Sequence, residues 1–190
     1  MKTWKEIYSD RLNDRYRNHI SSKYSKFIEM IQDSSSKFAE FGCGAGFISR
    51  AILSNNPDSK NVCLDICQDM LDLTKQNLNG FDNFICLQHD ILEPFNQLDL
   101  KDYTIHSHGV LEHFNDQEIK TIISNQKQTS NKRSFHYVPG HKYQKPSRGD
   151  ERLLTKDQWF DICQPNEIIE FNDGYDYILV FNGENKWLKK

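Results

Sequence analysis

The sequence has no apolar run long enough to cross a lipid bilayer, no apolar signal stretch at its N-terminus and no excess of basic charge. It carries 24 lysine and arginine residues against 27 aspartate and glutamate residues, a formal net charge of −3. A membrane-spanning helix needs about 20 consecutive apolar residues, and binding along a nucleic-acid backbone needs a basic face. We therefore expect a cytoplasmic protein that binds neither membranes nor DNA.

Cysteines are few and odd in number, which argues against a disulfide framework. Two of the five, Cys63 and Cys86, fall inside apolar runs typical of buried strands. The spacing of Cys63 and Cys67 lacks the second pair that would complete a zinc site. We predict that the cysteines are mostly reduced thiols in a reducing compartment.

The hydrophobic pattern alternates between strand and helix, without internal repeats. Apolar positions three or four residues apart predict helical structure from Trp4 to about Ile31. Short apolar runs then predict strands at 38–41, 61–65, 83–89, 103–108 and 135–138, with helices between them that begin near residues 48, 69 and 116. Such alternation is typical of a parallel sheet. A polar loop at 139–154, a helix at 155–163 and a strand pair at 167–171 and 175–181 complete the pattern.

A glycine-rich turn, Glu40-Phe41-Gly42-Cys43-Gly44-Ala45-Gly46, joins the first strand to the next helix. Glycines at alternate positions let the backbone bend sharply and approach a ligand closely, and the helix directs free amide groups toward that ligand. The turn reads G-x-G-x-G, and Phe47 stands where a dinucleotide-binding turn has its third glycine. The pattern therefore predicts a nucleotide-like ligand other than a dinucleotide.

The turn resembles motif I of the class I S-adenosylmethionine (SAM)-dependent methyltransferases. The resemblance covers about residues 38–139 and implies SAM as cofactor. It also implies an α/β, Rossmann-like, doubly wound fold: a mostly parallel seven-stranded sheet with helices on both faces and a reversed last strand. On this basis 1–190 is a single domain, with an N-terminal helical lid at 1–35, a SAM-binding core at 36–139, an active-site loop at 140–154 and a closing helix and strand pair at 155–190.

The strongest single site candidate is Asp65, at the end of the second predicted strand and nineteen positions after Gly46. A carboxylate there can accept two hydrogen bonds from a ribose diol; the alternative is an Asp that caps the next helix. The resemblance implies the same ribose contact. It also implies that Glu40 faces the methionine ammonium, that Asp90 receives the adenine amino group, and that the other cofactor contacts come from Gly42, Cys43, Gly44, Gly46, Ile66, Ile91 and His108.

Five of the seven histidines lie between residues 106 and 141. A histidine has a suitable pKa to take a proton from an attacking oxygen or nitrogen. We expect His108 or His141 to be this catalytic base. The alternative for each histidine is an ordinary core or surface position.

Two further groups have weaker signals. Glu112 and His113, with His136 or His141, can be read as metal ligands, but Gly109 occupies the position where metal-binding relatives carry a further Glu; we expect no metal. Arg148 or Arg152, in the polar loop, can hold a substrate carboxylate, or the loop can simply be a solvated surface.

The segment 106–114 resembles the region after the fourth strand in small-molecule methyltransferases. The sequence lacks the Asp/Asn-Pro-Pro-aromatic and Pro-Cys motifs of the DNA enzymes. We expect methyl transfer from SAM to an O or N atom of a small metabolite by direct displacement. The alternatives are an RNA or protein methyltransferase, for which the basic residues are Lys120, Lys127, Lys132, Arg133 and the tail 186–190, or a non-catalytic SAM-binding subunit.

Overall fold

The structure is a computed structural model that describes residues 4–147 and 149–183. The expectations for Arg148 and for the tail 186–190 lie outside the described residues. The chain divides between Ile91 and Leu92 into two compact units, which are described in turn. The single-domain boundaries given above stay a prediction.

The first unit alternates helices and strands around three parallel strands. The pairs β1–β2 and β2–β3 are both parallel. The helical region expected up to Ile31 is divided into three short helices, because Asn13 caps the second helix by accepting the Tyr16 amide at 3.0 Å. The elements are α1 (Trp4–Ser9), α2 (Asp14–Lys23), α3 (Ser25–Gln32), β1 (Lys37–Phe41), α4 (Phe47–Asn55), β2 (Lys60–Asp65), α5 (Gln68–Asn77) and β3 (Phe84–Gln88).

The second unit contains one parallel pair, β4–β5, and a strand, β7, that runs antiparallel to both β5 and β6. Capping boxes begin both of its α-helices: Asn115 with Glu118, and Thr155 with Gln158. The elements are β4 (Thr104–His108), a 3₁₀ turn (Leu111–His113), α6 (Asp116–Thr129), β5 (Ser134–Pro139), α7 (Lys156–Cys163), β6 (Glu167–Phe171), a second 3₁₀ turn (Asn172–Gly174) and β7 (Asp176–Phe181).

The strand order is β3-β2-β1 in the first unit and β4-β5-β7-β6 in the second. This order, with the reversed β7, confirms the expected doubly wound fold. All five cysteines are free thiols. Within the described ranges, no helix has the length and apolar character needed to cross a membrane.

Candidate functional site

The three glycines of the turn all adopt left-handed backbone angles, with φ of +71° at Gly42, +54° at Gly44 and +67° at Gly46. Such angles strain any residue with a Cβ. A Cβ at Gly46 would also lie 2.7 Å from Cγ2 of Thr74, whereas a Cβ at Gly44 would meet no heavy atom within 4 Å. Gly46 is thus required for packing against α5, and Gly44 borders open space.

Side chains of α5 hold the carbonyl groups of the turn. Thr74 Oγ1 donates to the Gly44 carbonyl at 2.7 Å, and Asn77 Nδ2 donates to the Ala45 carbonyl at 2.8 Å. Both side chains are fully buried. The turn is therefore preorganised by the protein itself, which lowers the entropy that a ligand must overcome to bind it.

Asp65 ends β2 and ties that strand to the turn. Its Oδ2 accepts the Gly44 amide at 2.8 Å, and its Oδ1 accepts the Cys67 amide at 2.9 Å. Burial raises the pKa of Asp65, and hydrogen bonds from the backbone amides of Cys67, Gly44 and Ile66 oppose that rise. The next side chain, Ile66, is 62% exposed, which is unusual for a large apolar residue. A buried carboxylate and an exposed apolar side chain thus adjoin at the end of β2.

Of the two other candidates that follow β3, Ile91 is buried and Asp90 is half-buried. They lie beyond the last residue of the strand, Gln88, whose side chain donates to the Ile66 carbonyl at 2.9 Å. The hydrogen bond of Gln88 thus links the end of β3, just before Asp90 and Ile91, to the exposed Ile66.

Glu40 lies in β1 with only 3% of its surface exposed. Its Oε2 accepts two hydrogen bonds from Ser49, one from the amide at 3.1 Å and one from the hydroxyl at 2.6 Å. Burial raises the pKa of Glu40 to about 7, against the effect of the Ser49 bonds. This carboxyl therefore changes charge near neutral pH.

The shifted pKa of Glu40 predicts a pH-dependent stability. From about pH 4.5 to about pH 7 the folded protein keeps a proton that the unfolded chain releases, so the free energy of unfolding falls as the pH rises through this range. The loss amounts to on the order of 3 kcal/mol. Glu40→Gln keeps an acceptor for Ser49 but cannot ionise, so we expect it to flatten the profile.

Urea unfolding at several pH values across that range tests this expectation. The exposed Glu29, in α3, offers a matched control as Glu29→Gln. A profile of Glu40→Gln as steep as that of Glu29→Gln would contradict the assignment.

Aromatic residues of the N-terminal helices pack on the residue that follows the turn. The ring of Phe47 lies 4.9 Å from the Tyr16 ring in an edge-on arrangement and 6.2 Å from the Tyr8 ring. Helix α1 contains no buried residue, and its Lys5 makes a 2.9 Å ion pair with Asp69. These helices therefore pack beside the turn; a role as a lid stays a prediction.

In the second unit, His108 ends β4 and is half-buried. Its ring stacks on that of Tyr137, the residue opposite it in β5, with centroids 4.8 Å apart. Asn172 Nδ2 donates to the Tyr137 hydroxyl at 3.0 Å and to Asp176 Oδ2 at 2.6 Å. His108 therefore borders a polar and aromatic cluster.

The second base candidate, His141, lies elsewhere. It is exposed, and its Nδ1 is 3.1 Å from the Tyr177 hydroxyl. Tyr177 is opposite Val138 in β5, so its side chain points to the sheet face opposite to that of Tyr137. The structure thus does not bring His108 and His141 together.

Two other histidines of the predicted cluster are core residues. His106 and His136 are fully buried, and burial lowers the pKa of each to about 3. His136 Nδ1 is 2.8 Å from the Ser107 hydroxyl. Both rings are therefore neutral at physiological pH.

The alternative metal ligands are not assembled. His113 Nδ1 is 3.0 Å from Asp150 Oδ1, while His136 bonds Ser107 and His141 bonds Tyr177. Among residues 4–147 and 149–183, no three His, Cys, Asp or Glu side chains are grouped as metal ligands.

The side chain of Arg152 makes structural contacts. Its guanidinium donates to the Phe114 carbonyl at 2.8 Å and to Asp116 at 2.5 Å. These contacts fasten the polar loop to the start of α6. The expectation that Arg152 clamps a substrate carboxylate is not supported by this geometry.

Comparison with known proteins adds a family match. Residues 39–129 match the sequence model of a family described as methyltransferase domain. The matched segment contains the glycine turn and Asp65. The match supports the methyltransferase activity and the SAM cofactor that the resemblance implied.

Solved structures share this fold at low sequence identity. The PH0226 protein from Pyrococcus horikoshii OT3 is 12% identical with a TM-score of 0.75, over 97% of this chain and 100% of that one. Human N-acetylserotonin methyltransferase in complex with SAM is 15% identical with a TM-score of 0.63, over 95% of this chain and 59% of that one. The small RNA methyltransferase HEN1 is 17% identical with a TM-score of 0.71, over 86% and 25%. No curated protein gives a significant match.

The residues of the first unit fit the methyltransferase cofactor. Open space at Gly44 leaves room for a ligand against the backbone, the Asp65 carboxylate suits a diol, and the exposed Ile66 suits an apolar ring face. The sequence did not reveal that Ser49, Thr74 and Asn77 support the site. The signal was available, since each is a polar residue on the apolar face of a helix.

Proposed function

We propose that this methyltransferase transfers the methyl group of SAM to an oxygen or nitrogen atom of a small metabolite by direct displacement. The observation that carries the proposal is the surroundings of the buried Glu112 in the second unit. Burial is the main cause that raises the pKa of Glu112, and the carboxylates of Glu151, Asp176 and Asp150 raise it further. A buried carboxyl group with carboxylates around it disfavours contact with an RNA phosphate and suits a small neutral or cationic acceptor.

The basic residues that favour an RNA substrate lie elsewhere in the second unit. Lys132 and Arg133 precede β5, whereas the loop follows the other end of that strand. Lys120 and Lys127 line a groove of about 410 Å³ that also contains Asp161. A carboxylate in this groove weakens it as a phosphate-binding site, which supports the small-metabolite proposal.

For SAM, we assign the roles that the family resemblance implies. Asp65 would accept hydrogen bonds from the ribose diol, with Gly42, Cys43, Gly44 and Gly46 forming the backbone cradle. Ile66 and Ile91 would cover the adenine ring, Asp90 would receive its amino group, and Glu40 would face the methionine ammonium. The exposure of Ile66 and the open space at Gly44 support these assignments.

SAM supplies an already activated methyl group on a sulfonium. The protein then has to hold the acceptor in line with that methyl group, exclude water, and remove a proton where the acceptor has one to lose. We assign the last task to a histidine. The half-buried His108 is the better candidate, because its ring is fixed against Tyr137 whereas His141 is exposed.

If His108 is the base, its alanine variant should lose far more activity than the alanine variant of His141. His108→Ala should lower the rate of methyl transfer by about 100-fold or more while the affinity for SAM changes little, because only proton transfer is lost. His141→Ala should have a small effect. The exposed His19 in α2 provides a control as His19→Ala. Rates in both active-site variants equal to that of His19→Ala would reject a histidine base.

The proposed substrate class is tested with methyl-labelled SAM and a cell extract, with Asp65→Ala as the blank, followed by separation of the products by size. We expect the label in the small-molecule fraction. Label on RNA or protein would overturn the proposal and make the basic residues the next target.

We also propose a cytoplasmic location. The five free thiols support a reducing compartment. Fractionation of the source cells followed by immunodetection tests this, and recovery from an oxidising compartment would contradict it.

A further inference from the structure

The carboxyl group of Glu112 is buried without an adequate partner. The residue is 2% exposed, and Oε2 has no hydrogen-bond partner among the described residues. Oε1 lies against Gly109, 3.4 Å from where a Cβ at that position would be. A buried polar oxygen without a partner is destabilising. The fold therefore maintains a polar atom that no described residue satisfies.

The surroundings of Glu112 are negatively charged. Burial is the main cause that raises its pKa to about 8, a hydrogen bond from its own backbone amide lowers the pKa, and the carboxylates of Glu151, Asp176 and Asp150 raise it further. Asp176 accepts the Tyr143 hydroxyl at 3.1 Å, and Glu151 accepts the amide and hydroxyl of Ser147. These neutral donors leave the negative charge in place.

The nearby Arg152 and His113 side chains are used elsewhere. The Arg152 guanidinium bonds the Phe114 carbonyl and Asp116, and His113 pairs with the exposed Asp150. Only the backbone amide of Arg152 contacts Glu112, at its carbonyl oxygen, 3.0 Å away. The carboxyl of Glu112 thus has neighbouring carboxylates that act on it and no ion pair of its own among the described residues.

We propose that Glu112, with Asp150, Glu151 and Asp176, binds an ammonium group of the methyl acceptor. This inference rests on the proposed function and narrows its substrate class to amines and other metabolites with a positively charged nitrogen. An ammonium group has three N–H donors. It would satisfy Oε2, favour the ionised carboxyl and offset the charge of the three neighbours, whereas an anionic acceptor would add to the repulsion.

The loop sequence agrees with an entry route. Residues 149–152 reach Glu112 through the Arg152 amide, and the outer contact of the loop is the pair between Asp150 and His113, whose side chains are 69% and 21% exposed. Arg152 fastens the other end of this segment to Phe114 and Asp116, so an entering acceptor would displace the Asp150–His113 contact rather than the whole loop.

The test uses the full chain, methyl-labelled SAM and a cell extract. After unreacted SAM has been removed by chromatography, the labelled small-molecule product is passed over a cation-exchange resin at about pH 6, where ammonium groups are charged. Products formed by Asp65→Ala are subtracted as the blank. We expect the product of the unmodified protein to be retained.

Glu112→Gln provides the second arm, because glutamine keeps the shape but cannot become negative. We expect transfer at low extract concentration to fall about 10-fold to 100-fold, to recover partly as extract is added, and SAM affinity to stay unchanged. The exposed Glu167 in β6 gives the matched control Glu167→Gln.

The outcomes separate the two proposals. Label in a small molecule that passes through the resin would overturn the ammonium assignment and leave the proposed function intact. Equal transfer by Glu112→Gln and Glu167→Gln at low extract would do the same. Label absent from the small-molecule fraction would overturn both proposals. The resin result needs only the unmodified protein, so it stands even where Glu112→Gln does not fold.

Discussion

Replacement of Asp65 by alanine is expected to weaken SAM binding by about 100-fold or more, because hydrogen bonds to a charged group contribute roughly 1.5–3 kcal/mol each. The Asp65 carboxylate has two roles. It accepts the amides of Gly44 and Cys67, and it is the proposed partner of the ribose diol. The variant loses the support of the turn together with the ligand contact.

Direct titration of SAM by calorimetry measures this effect. Asp72, an exposed carboxylate on α5, supplies the control Asp72→Ala, which should bind SAM normally. Asp65→Asn keeps one acceptor oxygen and should lie between the two. A folded Asp65→Ala protein with an affinity within about threefold of the control would show that Asp65 is a structural cap only.

Two glycine variants are expected to separate the stability of the turn from its ligand contact. Gly46→Ala places a Cβ 2.7 Å from Thr74 Cγ2 at a φ of +67°, so we expect a loss of on the order of 3 kcal/mol in unfolding free energy. Gly44→Ala meets no neighbour, so it should lose about 1–2 kcal/mol from backbone strain alone. Its larger effect should be on SAM affinity, because the new methyl group occupies the open space.

A double variant tests the cause of the Gly46 effect. Thr74→Ser removes Cγ2 but retains the hydroxyl that donates to the Gly44 carbonyl. We expect Gly46→Ala with Thr74→Ser to regain part of the stability lost in Gly46→Ala, measured by urea unfolding. No recovery would mean that the strained φ, rather than the contact with Thr74, causes the loss.

Local patterns in the sequence were sufficient to predict the strands and helices that position the site. The end of β2 at Asp65 was predicted at the correct residue, because a continuous apolar run stops there. The helix predicted to start at residue 155 is capped by Thr155, whose hydroxyl accepts the Gln158 amide at 3.2 Å. Both features depend on residues within a few positions of each other.

Other features depend on distant contacts and could not be predicted. Asp65 accepts the amide of Gly44, which is 21 positions away, so its support of the turn follows only from the parallel pairing of β1 and β2. The separation of His108 from His141 follows from the antiparallel register of β5 and β7. The burial of Glu112 requires the loop before α7 to fold back, which the periodicity of the helices and strands does not encode.

The central claim is that the glycine turn and the end of β2 together form the SAM site. Amide hydrogen exchange with and without SAM tests it most directly, since binding suppresses local opening where the ligand lies. The account predicts slower exchange on SAM addition in peptides that cover 42–47 and 64–67, and a smaller change at the exposed ends of α2 and α3. Unchanged exchange in both segments, with slower exchange in other parts of the chain, would contradict the claim.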